Sequence, residues 1–216
     1  MEKVVVVHSG GLDSTVLLYW LINKGHEVRS VGFDYGQKHQ KELAAAAIVC
    51  SALHIPRFLM TIRPPLKGSA LTDPDMTVPE GHYESENMRI TVVPNRNMIM
   101  LALAVGYAIS EGFGVVAYAA HRGDHVIYPD CRAEFRTAMQ EVFNLCHFTP
   151  LKLEAPFVSY TKVEIVKIGA DLKVPFSLTW SCYKGGSTHC GKCGTCVERK
   201  EAFRLAGVAD PTHYSG

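Results

Sequence analysis

Lys3-Val4-Val5-Val6-Val7-His8-Ser9-Gly10-Gly11-Leu12-Asp13-Ser14 is the stretch that decides the fold. Its four consecutive valines form a short β-branched run, the pattern of a strand buried on both faces. Two glycines and small hydroxyl residues follow at once. From about Thr15 to Asn23 apolar residues recur at helical spacing, and Gly25 supplies a stop. The glycines permit a tight turn and let an anion approach the backbone. N–H groups at the start of the helix, reinforced by its dipole, favour phosphate oxygens. Ser9, Ser14 and Thr15 add hydroxyl donors, and Asp13 offers a carboxylate able to hold Mg2+ against phosphates. Neither G-x-x-x-x-G-K-[ST] nor G-x-G-x-x-G occurs, so two other phosphate loops are excluded.

Working outward, Glu27–Asp34 reads as a second strand, Lys41–Leu53 as an alanine-rich helix and Arg57–Ile62 as a third strand. Pro64–Met88 holds prolines, glycines and acidic residues without periodicity, which predicts a flap or lid beside a site. Ile90–Val93 is expected to be extended. Helices are predicted over Asn97–Ser110 and Arg132–Leu145, with strands at Gly114–Ala120 and Lys152–Ala155. Thr161 and Glu164 make a capping box that opens a helix running to about Leu172, and Val197–Leu205 is the last helix. Strands alternating with helices predict an α/β fold with a parallel sheet covered on both faces. The expected division is an α/β unit over 1–178 and a metal-binding segment over 179–216 packed on it.

The 216 residues suit one domain, with 47% apolar residues to fill its core. A net charge of +1 advertises no nucleic-acid partner, because phosphate-bound proteins carry a basic excess. The apolar run Val4–Val7 is too short for a signal peptide or a membrane span. The expectation is a cytoplasmic enzyme without nucleic-acid or membrane partners.

Four of the seven cysteines form Cys182-x7-Cys190-x2-Cys193-x2-Cys196. Close thiolate pairs suit tetrahedral Zn2+, and four thiolates leave no open position for water, so a structural site is expected. An iron–sulfur cluster and replacement of one thiolate by His189 are the alternatives. Cys131 reads as a packed thiol rather than a nucleophile. Arg96 suits neutralisation of phosphate charge or a structural ion pair. Lys162, at a helix start, suits a phosphate contact or a solvated position.

The string Ser9-Gly10-Gly11-Leu12-Asp13-Ser14 resembles the loop of the PP-loop ATP pyrophosphatase superfamily. Further segments narrow the resemblance to the 7-cyano-7-deazaguanine synthase family. These are Phe33-Asp34-Tyr35-Gly36-Gln37-Lys38-His39, Val93-Pro94-Asn95-Arg96-Asn97, Tyr128-Pro129-Asp130-Cys131-Arg132 with Glu134-Phe135, and the cysteine cluster. The resemblance spans the chain. It implies an adenine nucleotide α-hydrolase-like (Rossmann-like) sheet and a homodimer. It also implies conversion of 7-carboxy-7-deazaguanine and ammonia to the 7-cyano base, with ATP consumed and AMP and pyrophosphate released. Ser9–Ser14 would then hold pyrophosphate, with Ser9, Asp13, Ser14, Arg96 and Lys162 in the catalytic set. The ATP span would run over His8, Ser9, Gly10, Gly11, Leu12, Asp13, Ser14, Thr15, Val16, Leu17 and Leu18. Phe33, Tyr35 and Gly36 would border adenine or ribose at the end of the second strand. Asp124, Asp130 and Arg132 would meet the substrate, where a carboxylate can accept both N–H donors of a guanine-like edge. Alternatively Asp124 and Asp130 cap turns. Two departures stand out: Asn95 replaces a usual glycine, and Ile127 stands where a second glycine is usual, beside His121, Arg122 and His125. A ligase stopping at the 7-amido compound and a tRNA thiolase-like enzyme are the competing expectations.

Overall fold

A computed structural model describes residues 1–63 and 66–216. The four valines do form a buried strand, β1 (Lys3–Val7), which the glycine turn delivers into helix α1 (Leu12–Asn23). Strands β2 (Glu27–Asp34), β3 (Arg57–Thr61), β4 (Val115–Ala117) and β5 (Lys152–Glu154) complete a five-stranded sheet of order β3-β2-β1-β4-β5. Every pairing is parallel. The remaining helices are α2 (Lys41–Ala52), α3 (Arg96–Ser110), α4 (Ala133–Leu145), α5 (Lys162–Asp171) and α6 (Gly194–Ala206).

Alternation along β1 divides the core. Val5 packs with residues of α3 and α4, whereas Val4 and Val6 pack with α1, α2, α5 and α6. Both faces of the sheet are therefore covered, as the unbroken apolar strands require. The chain reverses its direction of winding between β1 and β4. A crevice opens at the carboxyl ends of the strands there, where ligands bind in such sheets.

Several boundaries differ from expectation. Helix α1 starts at Leu12 rather than Thr15, so Asp13, Ser14 and Thr15 occupy its first turn. Ile90–Val93 is not extended: Glu86–Thr91 forms a 3-10 helix, tied by Thr91 Oγ1 donating to the Met88 carbonyl. Strand β4 ends at Ala117 rather than Ala120, although the Tyr118 N–H still donates to the Glu154 carbonyl at 3.0 Å.

Of the expected flap, Pro64 and Pro65 lie outside the described residues. The rest is docked rather than free. Ala70, Leu71, Val78, Tyr83 and Met88 are buried, and Glu80 bridges to Cys193. The Gly81 N–H also donates to the Lys192 carbonyl at 3.0 Å. This segment forms a cluster with Cys182, Cys193 and Cys196, so the cysteine knuckle is its floor.

Candidate active site

The loop between β1 and α1 is built by local chemistry. Gly10 takes φ +90, and a Cβ there would lie 2.1 Å from the Glu42 carbonyl oxygen and 2.6 Å from the Ala46 nitrogen. Its glycine is thus required by the approach of α2. The loop is pinned from the C-terminal segment by the Trp180 N–H, which donates to the Gly10 carbonyl at 3.0 Å. The Gly11 N–H donates to Ser9 Oγ at 3.1 Å, and the Ser9 and Ser14 hydroxyls lie 3.1 Å apart. Thr15 N–H makes the first helical bond, to the Gly11 carbonyl at 3.1 Å. The N–H groups of Leu12 and Ser14 then have no helical partner at the helix start, while that of Asp13 meets its own carboxylate, an anion cradle with two hydroxyls beside it.

A cavity of about 210 Å³ opens over this cradle, lined among others by Ser9, Asp13, Ser14, Phe33, Arg96 and Lys162. Its polar end is a charge network. Lys162 Nζ pairs with Asp13 Oδ2, stands 3.2 Å from His121 Nε2 and lies 3.4 Å from Glu198 Oε2. Burial disfavours the Lys162 ammonium, but Asp13 and Glu198 outweigh it and hold the group firmly charged. Burial likewise opposes ionisation of Asp13, yet Lys162 and His121 hold its carboxyl below the usual range. Asp13 Oδ1 is buried without a hydrogen-bond partner, a free ligand oxygen for a cation. On Glu198 burial wins and raises the carboxyl above its ordinary value, against the pull of Lys162.

Asp124 lines the same cavity. Its Oδ1 accepts from the Tyr83 hydroxyl at 2.8 Å and its Oδ2 from the His121 N–H at 3.1 Å. Arg96, at the start of α3, closes another wall. Burial works against its charge, but Tyr35, Tyr183, Asp130 and Cys131 around it keep it protonated. Asn95 before it takes φ 57, the left-handed backbone that asparagine tolerates where glycine is usual. The Cys131 thiol is buried and receives Asn97 Nδ2 at 3.2 Å. Burial, with Asp124 and Asp130 nearby, pushes it well above an ordinary thiol, so it is a packed group and not a nucleophile.

The structure does not bring every expected residue to the cavity. Val16, Leu17 and Leu18 are fully buried in the core under α1, because one helix turn past the loop points away from the crevice. Thr15 is buried 3.2 Å from His8 Nε2. Gly36 lines a smaller neighbouring cavity of about 170 Å³, separated from the first by Tyr35, Arg96 and Met100. Asp130 is not on the cavity wall: its Oδ2 accepts the Asn97 N–H at 3.0 Å, so it anchors the start of α3. Arg132 is exposed and its Nε donates to the His125 carbonyl at 2.9 Å. Of the residues flanking Ile127, His121 enters the lysine network whereas Arg122 is exposed.

Some cavity residues had no role from sequence. Glu198 lies two positions beyond Cys196, and only tertiary packing of α6 on α5 reveals its task. Tyr83 sits in the stretch expected to be a lid. Gln37, His39 and Glu42 follow the Phe33–Gly36 motif, and two of them, His39 and Glu42, line the wall.

The sulfur atoms of Cys182, Cys190, Cys193 and Cys196 all lie within 4.8 Å of one another, a donor set that could hold a metal ion. Backbone N–H groups converge on the sulfurs: Cys190 on Cys182 at 3.4 Å, and Lys192 and Cys193 on the Cys190 sulfur at 3.4 and 3.3 Å. Such donors favour thiolate over thiol. His189 is not a ligand, because its Nε2 accepts the Ser181 N–H at 3.0 Å and its ring packs on Trp180 and Tyr214.

Known proteins match this architecture along its length. The family described as queuosine biosynthesis protein QueC matches residues 3–207. The chain is 52% identical over 214 residues to a 7-cyano-7-deazaguanine synthase of Methanoregula boonei, covering 98% of this chain and 99% of that one. It is 53% identical over 214 residues to the synthase of Caldicellulosiruptor saccharolyticus, covering 98% and 95% respectively. Among solved structures, the U34-tRNA thiolase NcsA from Methanococcus maripaludis, described with its [4Fe-4S] cluster, superposes with a TM-score of 0.51 at 15% identity. It covers 99% of this chain and 74% of that one, a likeness of fold.

Proposed function

Because the chain belongs to the queuosine biosynthesis protein QueC family, we propose that it joins ammonia to 7-carboxy-7-deazaguanine at the cost of ATP, giving the 7-cyano base, AMP and pyrophosphate. The observation that carries this reading is the junction, in one cavity, of an anion cradle with a buried lysine held by two carboxylates. That arrangement serves adenylation, in which a carboxylate oxygen attacks the α-phosphate of ATP and the outer two phosphates depart together. The cradle of Ser9, Ser14 and the α1 N–H groups would receive them, with Lys162 countering the charge that develops. Arg96, across the cavity, would steady the anionic adenylate.

The chemistry runs twice. The carboxylate is a poor acceptor for ammonia because its oxygen leaves badly. Transfer of AMP makes that oxygen part of a phosphate ester, and ammonia then displaces AMP to give the amide. A second adenylation, on the amide oxygen, lets that oxygen depart as AMP while nitrogen sheds its protons to form the nitrile. Both adenylates hydrolyse in water, so the docked segment ending at Tyr83 and Met88 would serve to keep the cavity dry.

The metals are part of the proposal. Mg2+ would be held by Asp13, whose unpartnered Oδ1 fits it, and would neutralise phosphate charge. Zn2+ would sit on the four thiols as a structural tie. A homodimer is supported by exposed Phe58, stacked at 5.3 Å on Tyr107, with exposed Leu103 one helical turn away. Light scattering giving a monomer mass would remove the dimer. A small-molecule substrate, no nucleic acid and a cytoplasmic setting fit the near-neutral charge, and no described helix is long and apolar enough to cross a membrane.

The test is incubation with 7-carboxy-7-deazaguanine, ATP, Mg2+ and ammonium, read by mass spectrometry. Nitrile with AMP is the expected product. Accumulation of amide alone would point to a ligase that stops halfway, and unreacted acid or formation of ADP would refute the reading.

A further inference from the structure

We propose that His39 and Glu42 form the subsite that takes up ammonium and releases it as ammonia toward the adenylated substrate; this rests on the reaction assigned above and names where its nitrogen enters. His39 lines the cavity yet is only 3% exposed, and its Nδ1 is buried without a hydrogen-bond partner. Its Nε2 lies 3.4 Å from Glu42 Oε1. A carboxylate on that side favours the tautomer with the proton on Nε2, which leaves the Nδ1 lone pair as a base. Glu42 is itself fixed, since its Oε1 accepts Gln37 Nε2 at 2.9 Å while that same amide donates to the Phe33 carbonyl at 3.0 Å. The ring is held from the other side by Tyr183, 5.2 Å between centroids.

The chemical fit is to a small cation that becomes a neutral nucleophile. Ammonia in neutral water is almost wholly ammonium, which cannot attack a carbonyl carbon. A buried carboxylate attracts a compact cation, and the Tyr183 ring lies close by against His39. Burial lowers the basicity of His39 and Arg96 lowers it further, against the pull of Glu42, so the ring enters the reaction neutral. The same burial disfavours ammonium, which makes the bound cation a stronger acid than it is in water. The first proton passes from ammonium to Nδ1. The nitrogen lone pair then forms the C–N bond, the C–O bond to AMP breaks with its electron pair on the phosphate oxygen, and the second proton is shed to that leaving phosphate. No oxidant or further reactant is needed.

His39→Gln and Glu42→Gln test this, with two readouts. Acid-dependent exchange of labelled pyrophosphate into ATP, without ammonium, reports adenylation alone. Amide plus nitrile formed against ammonium concentration reports capture. His39→Gln is expected to keep exchange within about threefold while product formation falls roughly 10²- to 10³-fold, with AMP released in excess by hydrolysis. Glu42→Gln, which preserves the contact with Gln37, is expected to raise the ammonium KM about tenfold or more with little change in exchange. An unaltered ammonium response in both variants, or equal loss of exchange and product in His39→Gln, would overturn the subsite. Absence of acid-dependent exchange in the unaltered enzyme would overturn the reaction and the subsite together.

Discussion

Single residues here answer to two kinds of constraint, and only one is written in the neighbouring sequence. Gly10 and Gly36 both hold positive φ, yet a Cβ on Gly10 would strike the backbone of α2 whereas nothing lies within 4 Å of one on Gly36. Gly36→Ala is therefore expected to cost about 1–2 kcal/mol, the price of the left-handed backbone alone. Gly10→Ala should cost more than about 3 kcal/mol, since α2 must move. Chemical denaturation of the two variants checks this, and equal losses would show that contact with α2 is unimportant. Asp13 tests the catalytic side. Asp13→Asn removes the charge that would hold Mg2+ but leaves Lys162 beside Glu198, so the fold should persist while AMP formation falls at least about 10²-fold. Near-normal AMP release would end the metal-holding role. The string Ser9–Ser14 was legible because cradle, hydroxyls and carboxylate are contiguous. Glu198 and His121 were not assigned, because their partner Lys162 is far away in sequence and only folding unites them.

Elements were readable where local chemistry agrees with tertiary packing. β2 follows its apolar pattern, and α5 begins where Thr161 and Glu164 predict, with Thr161 Oγ1 accepting the Glu164 N–H at 3.3 Å and Glu164 Oε2 accepting the Thr161 N–H at 2.7 Å. Reading failed where tertiary contacts govern. Ile90 was expected in an extended run, but its carbonyl accepts the Ala70 N–H at 2.7 Å, and the chain curls there into a 3-10 helix. The start of α1 is not legible in the sequence, because glycine at its N-cap gives no side-chain capping signal. The α5 cap has a functional corollary, since Lys162 is the first helical residue after it. Thr161→Ala should destabilise the protein by about 1 kcal/mol. In a chain of this size that lowers the melting temperature by roughly 2–4 °C. It should also slow adenylation by loosening the lysine. Calorimetry paired with pyrophosphate exchange separates the effects, and a lowered melting temperature with unchanged exchange would show that α5 holds Lys162 without its cap.

At the scale of the molecule, the C-terminal segment closes the site it follows. Arg199 is fully buried, donating from Nη1 to Thr179 Oγ1 at 2.7 Å and from Nη2 to the Phe176 carbonyl at 3.0 Å, while its Nε reaches Asp210 at 3.2 Å. Helix α6 starts from Cys193, carries Cys196 in its first turn and presents Glu198 to Lys162. Trp180, just before the first thiol ligand, pins the phosphate loop through the Gly10 carbonyl. A metal on the four sulfurs would thus fix two supports of the cavity at once, since metal binding in such knuckles is folding free energy. Removal of the metal by a chelator, verified by elemental analysis, is expected to open residues 179–199 to limited proteolysis while the sheet stays resistant. Lys162 would lose its second carboxylate and the phosphate loop its anchor, so pyrophosphate exchange should fall with the same time course as cleavage and return on adding Zn2+. Complete metal loss with an unchanged digestion pattern would mean that the buried Arg199 network alone holds the segment, and the thiol cluster would then need a different explanation.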